Sequence, residues 1–197
     1  LSAAEVLAPL NTSSEYWIPM NMIEASDGNF YGTSVATVKA TGALSHFIFK
    51  LEKTGAHTKL YSAPGSSYIA SGGSQNTDVK NTLVEGNDGY IYGVTTNGGT
   101  NNGGVLYRIS KTGSYEVLKT FDAACFSSAC RSTVGSSPYF IWKEGNVIYG
   151  VTMNGGAYKL GTIFKYEGGV FSILRHFTNT PVSGASVPQA LYLGHLL

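Results

Sequence analysis

The feature that most restricts how this chain can fold is an internal repeat, because self-similarity at a fixed period forces each stretch to be one copy of a stacking unit. Three segments align: NMIEASDGNFYGT, NTLVEGNDGYIYGVT and YFIWKEGNVIYGVT, with Tyr31, Tyr92 and Tyr149 spaced by 61 and 57 residues. A second match follows each of them, FIFKL, VLYRI and TIFKY. It sets an aromatic before a basic residue at Phe49 and Lys50, Tyr107 and Arg108, and Phe164 and Lys165. A third match, HTKLYS, YEVLKTF and FSILRHF, puts Leu60, Leu118 and Leu174 ten or eleven residues beyond those aromatics.

Each unit thus offers four short strands: one before an Asp-Gly turn, one carrying the Tyr-Gly pair, one carrying the aromatic-basic pair, and one with the late Leu. The turns suit hairpins. Asp27-Gly28, Asp88-Gly89 and Glu144-Gly145-Asn146 join the first two strands, and Gly55, Gly113 and Gly168-Gly169 join the last two. Four antiparallel strands repeated at this period predict an all-β, β-propeller-like tandem repeat of four-stranded blades. A β-solenoid shares the period, but hairpin turns argue against a parallel coil. Composition agrees: 25 Gly, 13 Tyr and 9 Phe with 13% charged residues favour short strands and tight turns over helices.

The reading is a single repeat domain over 1–197, with full units at about 15–62, 79–121 and 138–177. The ends supply a partial unit, 1–10 and 187–197. Glu5 to Leu10, EVLAPL, matches EVLKTF of the second unit, and Val187 to Gly194 matches the lead-in to a first strand. These terminal strands are expected to pair with a neighbouring copy by strand addition, giving head-to-tail self-association, or to continue in a longer repeat protein.

The pattern DGxxYGxT, then NGGxxxxG, an aromatic-basic strand, a Gly turn and a late Leu-x-x-Phe resembles the GloVer-type tandem repeats of bacterial choice-of-anchor surface proteins. The likeness covers nearly the whole chain and is fullest in DGYIYGVTTNGGTNNGGVLYRISKTGSYEVLKTF. It implies a secreted or surface-displayed protein, extracellular or at the cell surface, and brings no enzymatic role with it. The first unit departs from the pattern by replacing the NGG segment with SVATVKATGALSH, and the third by replacing Asp-Gly with Glu-Gly-Asn.

Other residues narrow the function. The net charge is +1 with the basic residues scattered singly, which excludes an electrostatic footprint for nucleic acid. No run of about 18 apolar residues exists to form a transmembrane helix. The opening LSAAEVLAPL lacks the basic and long apolar stretches of a secretory signal, so a signal is expected to have been removed or omitted. Cys125 and Cys130, in CFSSAC, suit a small local disulfide of an oxidising compartment, with two free thiols as the alternative. No cofactor or metal is expected, since two cysteines without a histidine at ligand spacing make no zinc site.

The segments Asn97-Gly98-Gly99 and Asn154-Gly155-Gly156 join the second and third strands and are the candidate binding loops. Asn/Gly loops can present backbone amides on a rigid scaffold, although turn chemistry alone also explains them. The repeated tyrosines read as packing residues, with sugar stacking as the other reading. Lys50, Arg108 and Lys165 read as a solvated strand face or as a ring of weak anion sites. His46, His57, His176 and His195 occupy unrelated unit positions, and no catalytic motif appears. The expected function is a non-catalytic extracellular scaffold for binding, adhesion or self-assembly, with a glycan or other surface ligand. The alternative is an extracellular carbohydrate-active hydrolase or lyase on a propeller scaffold, for which Asp27, Asp88 and Glu144 are the carboxylates.

Overall fold

A computed structural model describes residues 12–62, 83–122 and 132–178. These form three four-stranded antiparallel sheets and no helix, as the repeat predicts. The first sheet runs β1 (Glu15–Glu24), β2 (Phe30–Val38), β3 (Leu44–Leu51) and β4 (His57–Ser62). The second runs β5 (Leu83–Glu85), β6 (Ile91–Thr95), β7 (Val105–Ile109) and β8 (Tyr115–Thr120). The third runs β9 (Ser136–Glu144), β10 (Val147–Asn154), β11 (Thr162–Glu167) and β12 (Val170–His176). Spatial order follows chain order in every sheet, so each blade is a simple meander with its Tyr-Gly strand second and paired on both sides. Pro19 and Pro138 fall on the edge strands β1 and β9, each beside a register shift, where a missing N–H costs least. Among the described residues no helix is long and apolar enough to cross a membrane. Residues 1–10, 187–197, His195, Cys125 and Cys130, with the self-association and disulfide expected of them, lie outside the described residues.

Blades need a core on each shared face, and the alternation of the strands supplies two. Tyr31 and Ile48 of the first sheet pack with Leu83, Ile91, Tyr107 and Ile109 of the second. Tyr92, Val94, Leu106 and Phe121 of the second pack with Ile141, Ile148 and Phe164 of the third. In the first two units the repeated tyrosine therefore faces the following sheet. Its strand neighbours on either side, such as Ile91 and Gly93, face the preceding one.

That alternation explains the Tyr-Gly pair. Gly32, Gly93 and Gly150 stand opposite Phe49, Tyr107 and Phe164 on the adjacent strand. A Cβ at Gly32 would come within 2.6 Å of Phe49 Cε1, and one at Gly150 within 2.7 Å of Phe164 Cε1. Each ring lies across the bare backbone of its glycine, which is the close approach that a strand glycine permits. The basic residue of the aromatic-basic pair then falls on the other face, opposite the tyrosine: Lys50 across from Tyr31, Arg108 from Tyr92, Lys165 from Tyr149. All three are ion-paired within their own blade, to Glu52, to Glu116 and Asp88, and to Glu167.

The turn ends of successive sheets are joined by polar contacts. Glu85 accepts from the backbone N–H and hydroxyl of Ser26, both at 2.6 Å, and Lys111 reaches Glu85 at 2.7 Å and Asp27 at 3.8 Å. Between the second and third sheets Asn87 bonds Asn146, and Lys143 donates to Asn87 at 2.8 Å.

Candidate functional site

The β6–β7 and β10–β11 connections hold the two NGG segments, at the sheet ends opposite the Asp-Gly turns. Both are built from one set of bonds. Thr95, the last residue of β6, donates its hydroxyl to the Asn97 carbonyl at 2.6 Å and accepts from the Val105 N–H at 3.1 Å. Fifty-seven positions on, Thr152 donates to the Asn154 carbonyl at 3.1 Å and accepts from the Thr162 N–H at 2.9 Å. Gly104 N–H closes on the Gly98 carbonyl at 3.1 Å and Gly161 N–H on that of Gly155 at 2.9 Å. Both threonines are buried, at 3% exposure. Each hydroxyl satisfies a donor and an acceptor that the ladder leaves open where the strands part.

The glycine doublets adopt a backbone that other residues resist, with φ of 90° and 73° at Gly98 and Gly99 and 77° at both Gly155 and Gly156. Gly98 N–H donates to Asn102 Oδ1 at 2.9 Å, so this amide belongs to the loop itself. Asn97 and Asn154 are half-buried, and Gly98, Gly155 and Gly156 are buried. A Cβ on Gly155 would come within 2.8 Å of Gly135 and Ser132 Oγ. The second-unit loop is also tied to the third sheet, since Ser137 N–H donates to the Gly103 carbonyl at 2.7 Å. In the third unit the Ala157 N–H donates to His176 Nδ1 at 3.1 Å.

The residues that reach solvent are different ones. Gly99, Thr100, Asn101 and Asn102 are exposed in one loop, and Ala157, Tyr158 and Leu160 in the other. Tyr158 is 60% exposed, and the adjoining Met153 is 51% exposed. Of the six loop residues singled out from sequence, five therefore form the frame and Gly99 alone reaches the tip. Thr95, Thr152 and Asn102 went unremarked in the sequence, although the Thr of YGVT recurs in both units. The first unit has no such loop. Its SVATVKATGALSH segment continues the ladder, pairing Val35 with His46 and Thr37 with Leu44.

The repeated carboxylates sit at the far end of the sheets from these loops. Asp27 and Asp88 each accept the hydroxyl of their own unit's tyrosine at 2.8 Å, from Tyr31 and Tyr92. Burial opposes ionisation of Asp27, but hydrogen bonds from Asn29 and Tyr31 and the charge of Lys111 outweigh it and hold the carboxyl at about 2. Burial and the bond to Asp88 push the Tyr92 hydroxyl up to about 12. The histidines are spread: His46 and His57 in the first sheet, His176 in the third. Among the described residues no group of three or more His, Cys, Asp or Glu could hold a metal ion.

Compared with known proteins, the chain matches the model of the Gloeobacter/Verrucomicrobia repeat over residues 2–195. Among curated proteins no match is found.

Proposed function

The chain belongs to the Gloeobacter/Verrucomicrobia repeat family, and from that premise we propose that it is a non-catalytic extracellular scaffold that binds surface ligands through its loop tips. One observation carries this reading. Two loops 57 positions apart share the same threonine-hydroxyl and glycine backbone bonds, yet expose unlike side chains: Thr100 and Asn101 in one, Tyr158 and Leu160 in the other. A fixed frame with variable tips is how a rigid scaffold varies recognition without altering its fold. The tips also hold the groups that bind well, an exposed aromatic ring and amide side chains.

The test is capture of ligands on a glycan array and on intact cell envelopes, with intact protein and with Asn101→Ala and Tyr158→Ala variants. Both substitutions are at exposed positions, so melting temperatures should stay within a degree or two while capture falls. Capture that is indifferent to both variants defeats the loop-tip reading. Release of cleaved glycan from the array defeats the non-catalytic one.

A further inference from the structure

The outer face of the first sheet, turned away from the second, carries a cluster drawn from both of its edges. Glu15 and Trp17 come from β1, His57 and Lys59 from β4. Trp17 lies on Phe47 and Phe49, with ring centroids 4.4 and 6.3 Å away, and His57 stands edge-on to the indole at 5.0 Å. Lys59 Nζ crosses to Glu15 Oε2 at 2.6 Å while lying over the Phe47 ring at 4.5 Å. Trp17 Nε1 donates to the same carboxylate oxygen at 3.0 Å. These four side chains, with Thr12, Ser14 and Thr58, line an open cavity of about 460 Å³.

Its size falls within the range of ~300–1,000 Å³ of small-molecule sites. Its chemistry narrows the ligand further. One carboxylate and one ammonium neutralise each other, so no net field selects an ion. Trp17 is 7% exposed and Phe47 fully buried, which leaves no broad aromatic face for an apolar ligand. What the wall presents is closely spaced donors and acceptors: the hydroxyls of Thr12 and Ser14, the Lys59 ammonium, and Glu15 Oε1, which has no hydrogen bond among the described residues. The hydrogen bond from Lys59 is the largest influence on the Glu15 carboxyl and holds it below its ordinary value, so it remains an acceptor at neutral pH. A ligand that meets donors and acceptors at this spacing carries adjacent hydroxyl groups, each able to do both.

We propose that this cavity is a binding site for a neutral saccharide, with Glu15 and Lys59 gripping neighbouring hydroxyls and Thr12 and Ser14 completing the polar wall. It is separate from the NGG loop tips, so binding here stands or falls independently of binding there.

The two tryptophans are Trp17 and Trp142, and Trp142 belongs to the third sheet. In Trp142→Phe protein, indole emission therefore reports the cavity alone. Titrations would use cellotriose, xylotriose and maltotriose, with trigalacturonate as the anionic control. A saturable change with a neutral sugar is expected, with weaker or no response to trigalacturonate. Ser14 is exposed, so Ser14→Ala should fold normally and should weaken the neutral sugar about fivefold. Tyr158→Ala should leave this binding unchanged. No saturable change with any of the three neutral sugars, tighter binding of trigalacturonate, or full affinity in the Ser14→Ala protein would each overturn the proposal.

Discussion

A methyl group added to Gly93 would overlap the Tyr107 hydroxyl end of the ring and come within 2.9 Å of Leu83 Cδ2. Tyr107 and Leu83 are 0% and 1% exposed, so neither can swing into solvent. Gly93→Ala should therefore destabilise the fold by about 1–3 kcal/mol, the usual cost of overpacking. Urea denaturation would measure it, and Tyr107→Leu in the same chain should recover part of the loss. A neutral Gly93→Ala would show that the ring-over-glycine contact is not a constraint. The sequence made the tyrosine of the Tyr-Gly pair recognisable as a packing residue, because it recurs at one strand position in every unit. It did not reveal the purpose of the glycine, since the ring that needs it comes from another strand. At the turn, Asp27 has the opposite sensitivity, to pH. Its folded value of about 2 lies below the ordinary 3.8, so its contribution is present above about pH 4 and is lost as pH falls through 2. The shift corresponds to about 2 kcal/mol, and screening of a side chain 31% exposed reduces that to about 1 kcal/mol. Asp27→Asn should remove that part of the acid destabilisation between pH 4 and pH 2, as followed by thermal melts; an unchanged acid limb would show the carboxylate to be uncoupled from folding.

At the scale of the element, the strand-to-loop junction rests on one hydroxyl. Thr95→Val keeps the side-chain shape and removes that hydroxyl, leaving the buried Val105 N–H without its acceptor. The expected cost is about 1–3 kcal/mol, the penalty of an unsatisfied buried donor. Amide exchange across 97–104 should quicken while β7 and β8 stay protected. Equal exchange in both proteins would mean that the glycine doublet alone sets the loop. Turn positions were readable because Asp-Gly and Lys-Thr-Gly have local conformational reasons to be turns. The NGG segments were read as connections for the same reason, and they are connections. Their internal bonding was not legible, because Thr95 and Val105 lie ten positions apart and meet only once β6 and β7 have paired. The departure in the first unit follows from composition. SVATVKATGALSH brings β-branched residues where the others bring Asn and Gly, so β2 and β3 continue to Val38 and Leu44 before the chain turns.

At the scale of the molecule, the three sheets are unequal because, among the described residues, only the second is covered by a sheet on both faces. Tyr107 and Ile91 hold it to the first sheet, and Tyr92, Leu106 and Phe121 hold it to the third. The number of units and strands was legible from the period, whereas the direction of stacking was not. The contacts that fix that direction, Glu85 to Ser26 and Lys111 to Asp27, join residues 59 and 84 positions apart that have no local reason to meet. In a linear array each unit is stabilised by its own fold plus its nearest-neighbour interfaces, so damage should spread only through an interface it touches. Leu106→Ala removes a fully buried side chain from the second interface and should cost about 2–5 kcal/mol. Native-state hydrogen exchange should then show β10 and β11 losing protection together with β6 and β7. Leu51→Ala, on the outer face of the first sheet, should lower protection in β2 and β3 and leave β10 and β11 unchanged. If both substitutions lower protection equally in all three sheets, the molecule unfolds as one cooperative body and the nearest-neighbour description is wrong.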